Sequence, residues 1–170
     1  MSADALLSIP VGVVVERHEA SSPWLDFVYR PSSVLVGIPE AAPWTTITVT
    51  EGVTTYYAGK AVIELYRTET EGYRDNLASG APLLWVVLRA APNEVGFELL
   101  LVTADPAEGE ALTGAGDDLV GTVPMPRSIE AAVAEFVAEY HVDRAFVKRQ
   151  RQNSKAPEPG RRAVGGKGQE

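Results

Sequence analysis

Polar and charged side chains that could do chemistry are most concentrated between residues 64 and 76. The group comprises Glu64, Arg67, Glu69, Glu71, Tyr73, Arg74 and Asn76. Two carboxylates in a cleft can serve as general acid and base when their pKa values are pushed apart, so a catalytic pair is one interpretation. A binding surface is the second, and capping with ordinary ion pairs along a short helix is the third. The residue types favour structural pairing over binding, and binding over catalysis.

Capping does not explain why all of these side chains should lie together. A helix that starts near Thr68 uses Thr68 and Glu71 for its cap. It has no such use for Arg67, Tyr73 or Asn76. The candidate binding residues of this segment are Arg67, Glu69, Glu71, Tyr73 and Asn76.

A second group combines aromatic side chains with a cation and consists of Trp24, Arg30, Pro31 and Trp44. Tryptophan and arginine are enriched where surfaces bind partners. Large aromatic side chains also cover small cores, and this interpretation is the preferred one for the group. Trp24 and Arg30 remain candidate binding residues.

Several catalytic and metal-binding chemistries are missing from the chain. It has no cysteine, which excludes disulfides, thiolate nucleophiles and cysteine-ligated metals, and its two histidines are His18 and His141. No nucleophile elbow, Walker loop, dinucleotide-binding glycine pattern or zinc-protease helix motif occurs. We therefore predict a protein that is not an enzyme and that has no catalytic residues, no metal and no cofactor.

The formal net charge of −8 is unevenly distributed. Residues 1–143 carry 21 acidic and 7 basic side chains, whereas residues 144–170 carry 8 basic and 2 acidic ones. An acidic body repels phosphate backbones, which disfavours nucleic acid as a partner. The segment MSADALLSIP lacks the basic start and the apolar length of a signal peptide, and no run approaches a membrane span. We predict a cytoplasmic protein that does not contact membranes.

Hydrophobic patterning predicts that strands make up most of the chain. The predicted strands are 9–16, 25–29, 33–37, 44–50, 54–58, 61–66, 83–89, 95–103 and 118–123. Turn signals at Glu51-Gly52 and Pro92-Asn93 predict two hairpins. Arg30-Pro31 and Gly59-Lys60 predict breaks between neighbouring strands.

Three helices are predicted from their start signals. The first begins with the capping box of Thr68 and Glu71, and the second with Asp105 followed by a proline. Ser128 is the predicted cap of the third and longest helix. Its apolar stripe consists of Ile129, Val133, Phe136, Val137 and Tyr140.

These elements predict an α+β fold with an antiparallel sheet, two short helices and a longer C-terminal helix, followed by a disordered tail. The predicted core contains Val13, Val15, Leu84, Val86, Leu88, Leu99 and Leu101. Residues 1–147 are predicted to form one domain. Residues 148–170 have almost nothing to bury, so we predict a disordered basic tail.

Several segments carry a resemblance to a family. They are IPVGVVVERHE at 9–19 with the following Pro23-Trp24, RPSSVLVGIP at 30–39, YRTETEGYRDNL at 66–77, the VPMP turn at 123–126 and FVAEYHVDRAFVKRQR at 136–151. Over about residues 8–151 the chain resembles a small bacterial family of unknown function, whose genes commonly lie beside those of molybdenum-dependent formate dehydrogenases. Some members are labelled nucleotidyltransferases for molybdopterin guanine dinucleotide. This chain departs from that class, because Glu16, Arg17 and His18 stand where a glycine-rich phosphate loop should follow the first strand.

The resemblance implies a non-enzymatic accessory protein. Such a protein would support assembly or regulation of a molybdenum-dependent formate dehydrogenase through protein–protein contact. Its expected partner is a formate dehydrogenase subunit or an assembly factor of that enzyme. The alternative is a small-molecule or cofactor-binding module that uses the polar group at 64–76.

Overall fold

The computed structural model describes residues 5–114 and 116–142. Its strands are β1 (Leu7–Glu19), β2 (Phe27–Val36), β3 (Thr45–Thr50), β4 (Val53–Leu65), β5 (Leu83–Ala90), β6 (Phe97–Thr103) and β7 (Leu119–Pro124). A 3₁₀ turn (Arg67–Glu69) precedes α1 (Thr70–Ala78), and α2 (Pro106–Leu112) and α3 (Arg127–Tyr140) follow. The α+β class is confirmed. The predicted tail at 148–170 lies outside the described residues.

The strands form two antiparallel sheets rather than a single one. Four strands pair in the order β2-β1-β4-β3 and three in the order β6-β5-β7. The sheets meet where β4 lies against β6 and where β2 lies against β7. At the second junction Gly121 is required, because a Cβ there would come within 2.7 Å of the Pro31 ring. The inner faces of the two sheets therefore enclose one core.

Both predicted hairpins are present. β3 and β4 are joined through Gly52, whose φ of +78° suits a tight turn and glycine, and β5 pairs with β6. The two predicted breaks are wrong, since β2 continues through Pro31 and β4 continues through Gly59. In both cases the pairing with β1 shifts its register near the predicted break. The β1–β2 pairing shifts between Val14 and Val15, and the β1–β4 pairing shifts between Val13 and Val14. A β-bulge accommodates the extra residue without ending the strand.

The predicted capping residue is correct for one of the three helices. Asp105 caps α2 as predicted, because its Oδ1 accepts a hydrogen bond of 3.0 Å from the backbone N–H of Ala107. The capping box predicted for α1 is absent: Thr68 lies inside the 3₁₀ turn, and the helix begins at Thr70 without a side-chain cap. α3 begins at Arg127, one residue before its predicted cap Ser128.

Most of the residues predicted to form the core are buried. Five predicted residues are buried, namely Val13, Val15, Leu84, Val86 and Leu88, whereas Leu99 and Leu101 are only half-buried. The difference arises because both leucines lie on β6, at the edge of the three-stranded sheet. From α3, the residues Ile129, Val133 and Phe136 are buried in the same core as the strands. This helix also packs against α1.

Candidate functional site

Two candidate binding residues of α1 are buried and serve the fold. Tyr73 is 1% exposed, and its hydroxyl accepts a hydrogen bond of 3.0 Å from the backbone N–H of Tyr66. Burial raises the pKa of Tyr73 to about 12, although that hydrogen bond acts in the opposite direction. Tyr73 therefore holds α1 against the end of β4 and does not present its hydroxyl on the surface.

Asn76 connects α1 to both strands of the β5–β6 hairpin. Its Nδ2 donates to the backbone carbonyls of Leu83 at 2.8 Å and Ala104 at 3.0 Å. Its Oδ1 accepts from the N–H of Leu83 at 3.0 Å. Because the side chain is 5% exposed and three of its hydrogen-bonding positions are occupied, it acts as a structural clamp.

The remaining candidates of this segment face solvent at the junction of the 3₁₀ turn and α1. Arg67 is exposed, and its guanidinium carbon lies 5.5 Å from the centroid of the Tyr140 ring. Glu71 is exposed in the first turn of α1, where a carboxylate is favourable to the helix dipole. Glu69 is half-buried between these two residues in the sequence. The surface here is smaller than the sequence suggests, since Tyr73 and Asn76 are not part of it.

Glu69 lies beside the carboxylates of α2. Partial burial, a hydrogen bond to Asp105 and repulsion from Asp105 and Glu108 raise the pKa of Glu69 above its ordinary value of 4.5. Asp105 is itself buried, and a Cβ at position 72 would come within 2.5 Å of its Oδ1, so Gly72 makes this close approach possible. Glu69 therefore keeps its proton to a higher pH than an isolated glutamate side chain would.

Glu69→Gln is expected to increase stability near pH 7 by less than about 1 kcal/mol, because Glu69 is only partly buried and solvent screens its repulsion from Asp105 and Glu108. The folded state holds the Glu69 proton more tightly than the unfolded chain, so this residue favours folding below about pH 4.5. That contribution is lost as the pH rises through the folded pKa. Unfolding curves at pH 4 and pH 7 should show the advantage of the variant only at pH 7. The matched variant Glu71→Gln should show no such dependence, and an equal difference at both pH values would contradict the account.

The sequence did not anticipate the role of His141. Its Nδ1 lies 3.1 Å from the Thr70 hydroxyl, and its Nε2 lies 3.2 Å from Nη1 of Arg74. The Thr70 hydroxyl in turn donates to the carbonyl of Arg67 at 3.3 Å. Arg74 can only donate, so Nε2 accepts and Nδ1 carries the proton. His141 thereby fastens the end of α3 to the start of α1.

The second group of candidates lies elsewhere and is largely open to solvent. Trp24 is 87% exposed in the loop between β1 and β2, so core packing is wrong for this residue. Leu25 and Phe27 are also exposed, and we call Trp24, Leu25 and Phe27 the Trp24 surface. Arg30 is exposed on β2, opposite Glu16 of β1. Trp44 is half-buried and packs against the core.

β1 separates the two groups. Its first residue, Leu7, pairs with Leu65 just before the 3₁₀ turn, and its last residue, Glu19, pairs with Phe27 of the Trp24 surface. A 13-residue strand is roughly 40 Å long. The structure therefore does not bring all the candidate residues together, and a single small ligand cannot contact both groups.

Within residues 5–114 and 116–142, no three histidine, aspartate or glutamate side chains are grouped so as to hold a metal ion. Nor does any helix in these ranges have the length and apolar character needed to cross a bilayer.

Fold and surface together define a two-sheet α+β domain with an exposed aromatic loop. The profile of one family, described as "Protein of unknown function (DUF3305)", matches residues 10–150, and the chain belongs to this family. No curated protein and no solved structure matches the chain.

Proposed function

We propose that the protein is a non-enzymatic accessory protein that acts by binding another protein through the Trp24 surface. The observation that supports this most strongly is the 87% exposure of Trp24, next to the exposed side chains of Leu25 and Phe27. Tryptophan is among the residues that contribute most at protein–protein interfaces. Adjacent exposed apolar side chains are typical of interaction sites rather than of inert surface.

The free energy available from burying Trp24 favours a protein partner. Burial of an aromatic side chain removes roughly 150–250 Å² from water, and at about 25 cal/mol per Å² this corresponds to roughly 4–6 kcal/mol. In the isolated chain Trp24 is mostly exposed, so most of this free energy is gained only when a partner covers the side chain. Part of it offsets the entropy lost on association, and the remainder contributes to affinity.

The identity of the partner is proposed from the family resemblance. Genes of the resembling family commonly lie beside those of molybdenum-dependent formate dehydrogenases, which supports a subunit or an assembly factor of that enzyme as the partner. The acidic body of this chain, with 21 acidic and 7 basic side chains in residues 1–143, favours a basic surface on that partner.

Affinity purification from native cells tests this proposal. The tagged wild-type chain is expected to recover formate dehydrogenase subunits or their assembly factors, and Trp24→Ala is expected to lose them while its melting temperature stays unchanged. Val49→Thr is the matched control, because Val49 is 71% exposed on β3, which lies at the opposite edge of the four-stranded sheet from β2. Recovery of the same proteins by Trp24→Ala and wild type would contradict the assignment of the surface. Failure of the wild type to recover any of them would contradict the partner.

A further inference from the structure

A cleft of about 550 Å³ opens between the two sheets near the end of β1. Its lining consists of Arg17, Pro43, Trp44, Thr46, Tyr56, Asn93, Glu94 and Val95. These residues come from β1, from the start of β3, from β4 and from the β5–β6 turn. The volume is within the range of about 300–1,000 Å³ that is typical of small-molecule sites.

Arg17 places a positive charge in this cleft. The residue is half-buried, and its guanidinium carbon lies 4.1 Å from the centroid of Phe27 and 5.7 Å from that of Tyr56. Nη2 donates to the Thr54 hydroxyl at 3.3 Å. Within the described ranges, no carboxylate forms an ion pair with Arg17, although acidic side chains predominate there. The guanidinium lies against the Phe27 ring and, beyond its bond to Thr54, keeps further N–H donors for an anion.

Trp44 supplies an aromatic wall in an unusual backbone conformation. Its φ is +66°, and no other residue apart from glycine has a positive φ in the described part of the chain. The conformation is held by a hydrogen bond of 2.6 Å from its N–H to the carbonyl of Tyr57. The indole packs edge-on against Tyr56, with ring centroids 5.7 Å apart. A positive φ is unfavourable for a bulky side chain, and such strained residues cluster at ligand-binding sites.

We propose that this cleft binds an aromatic monocarboxylate, a function distinct from protein docking through the Trp24 surface. The ring of the ligand lies along Trp44 and Tyr56, and its carboxylate accepts hydrogen bonds from Arg17. Glu94 on the lining disfavours ligands with further negative charge.

Titrations of the full chain followed by ¹H–¹⁵N NMR test the site with three probes. 2-Naphthoate is expected to shift the indole N–H of Trp44 and the Nε–H of Arg17. 2-Naphthamide has the same ring without the charge and should bind roughly tenfold more weakly or worse, and acetate alone should leave both signals unchanged. Equal affinity for naphthoate and naphthamide, or naphthoate shifts confined to residues outside the cleft, would overturn the proposal.

Variants separate the contribution of the Arg17 charge from that of the Trp44 ring. Arg17→Gln should abolish the preference for the carboxylate over the amide, whereas Arg30→Gln, on the neighbouring strand β2, should retain it. Arg17→Lys keeps the charge but loses the planar fork that binds a carboxylate through two hydrogen bonds, so it should reduce the preference for the carboxylate and provides a second test if the glutamine variant does not fold. Trp44→Gly should weaken binding of both bicyclic probes. Glycine adopts the positive φ freely, so the backbone conformation is kept even though the packing of the indole on the core is lost. Unchanged binding by Trp44→Gly and by a folded Arg17 variant would exclude the cleft as the site.

Discussion

Phe136→Ala is expected to lower the free energy of unfolding by about 3–5 kcal/mol. Phe136 is 3% exposed on α3 and lies between two other rings, with centroid distances of 6.1 Å to Tyr73 and 4.8 Å to Tyr140. Alanine removes most of the ring volume from a place where α1, α3 and the core meet, and the surrounding rings cannot fully collapse into the cavity. Chemical denaturation followed by circular dichroism measures the change.

The neighbouring variant Glu135→Ala provides the control. Glu135 is exposed on the same helix, so its replacement should change stability by no more than about 0.5 kcal/mol. A loss below about 1 kcal/mol for Phe136→Ala would show that α3 does not dock on the core as described.

Asn76→Ala is expected to cost about 3 kcal/mol of stability. The change leaves the N–H and C=O of Leu83 and the C=O of Ala104 without the partner that Asn76 provides. Each buried polar group left unsatisfied costs about 1–3 kcal/mol, and partial access of water reduces the sum. Asn76→Asp should cost more near neutral pH, because its carboxylate would face two carbonyl oxygens.

Asn93→Ala is a close control for this clamp. Asn93 also uses its amide to join backbone groups, donating to the carbonyl of Phe97 and accepting from the N–H of Gly96, but it lies in an exposed turn. Water replaces those bonds, so the loss there should stay under about 1 kcal/mol. If Asn76→Ala is no more harmful than Asn93→Ala, the hydrogen bonds of Asn76 do not hold the fold together as described.

The sequence predicted the features that depend on neighbouring residues. Asp105 followed by proline defines the start of α2, and Gly52 defines the β3–β4 turn, because the chemistry of each lies within a few positions. The continuity of β2 through Pro31 was not predictable in this way. It depends on the pairing of β2 with β1, and a bulge in that pairing compensates for the proline.

The candidate site was predicted less well for the same physical reason. Periodicity along α1 places Tyr73 and Asn76 on a helix, but it does not reveal that Leu83 and Ala104, from other elements, take up the hydrogen bonds of Asn76. The exposure of Trp24 likewise depends on the path of the β1–β2 loop relative to the two sheets, which the local sequence does not determine. Arg17 was overlooked as a site residue because its stacking partners, Phe27 and Tyr56, belong to two other strands.

Gene deletion with complementation tests the proposed accessory function most directly. Formate dehydrogenase activity and the molybdenum content of the enzyme are measured in the deletion strain and after return of the wild-type, Trp24→Ala or Val49→Thr gene. We expect deletion to lower both quantities, the wild-type and Val49→Thr chains to restore them, and Trp24→Ala to fail although it accumulates to the same level. Unchanged activity and molybdenum content in the deletion strain, or full restoration by Trp24→Ala, would contradict the account.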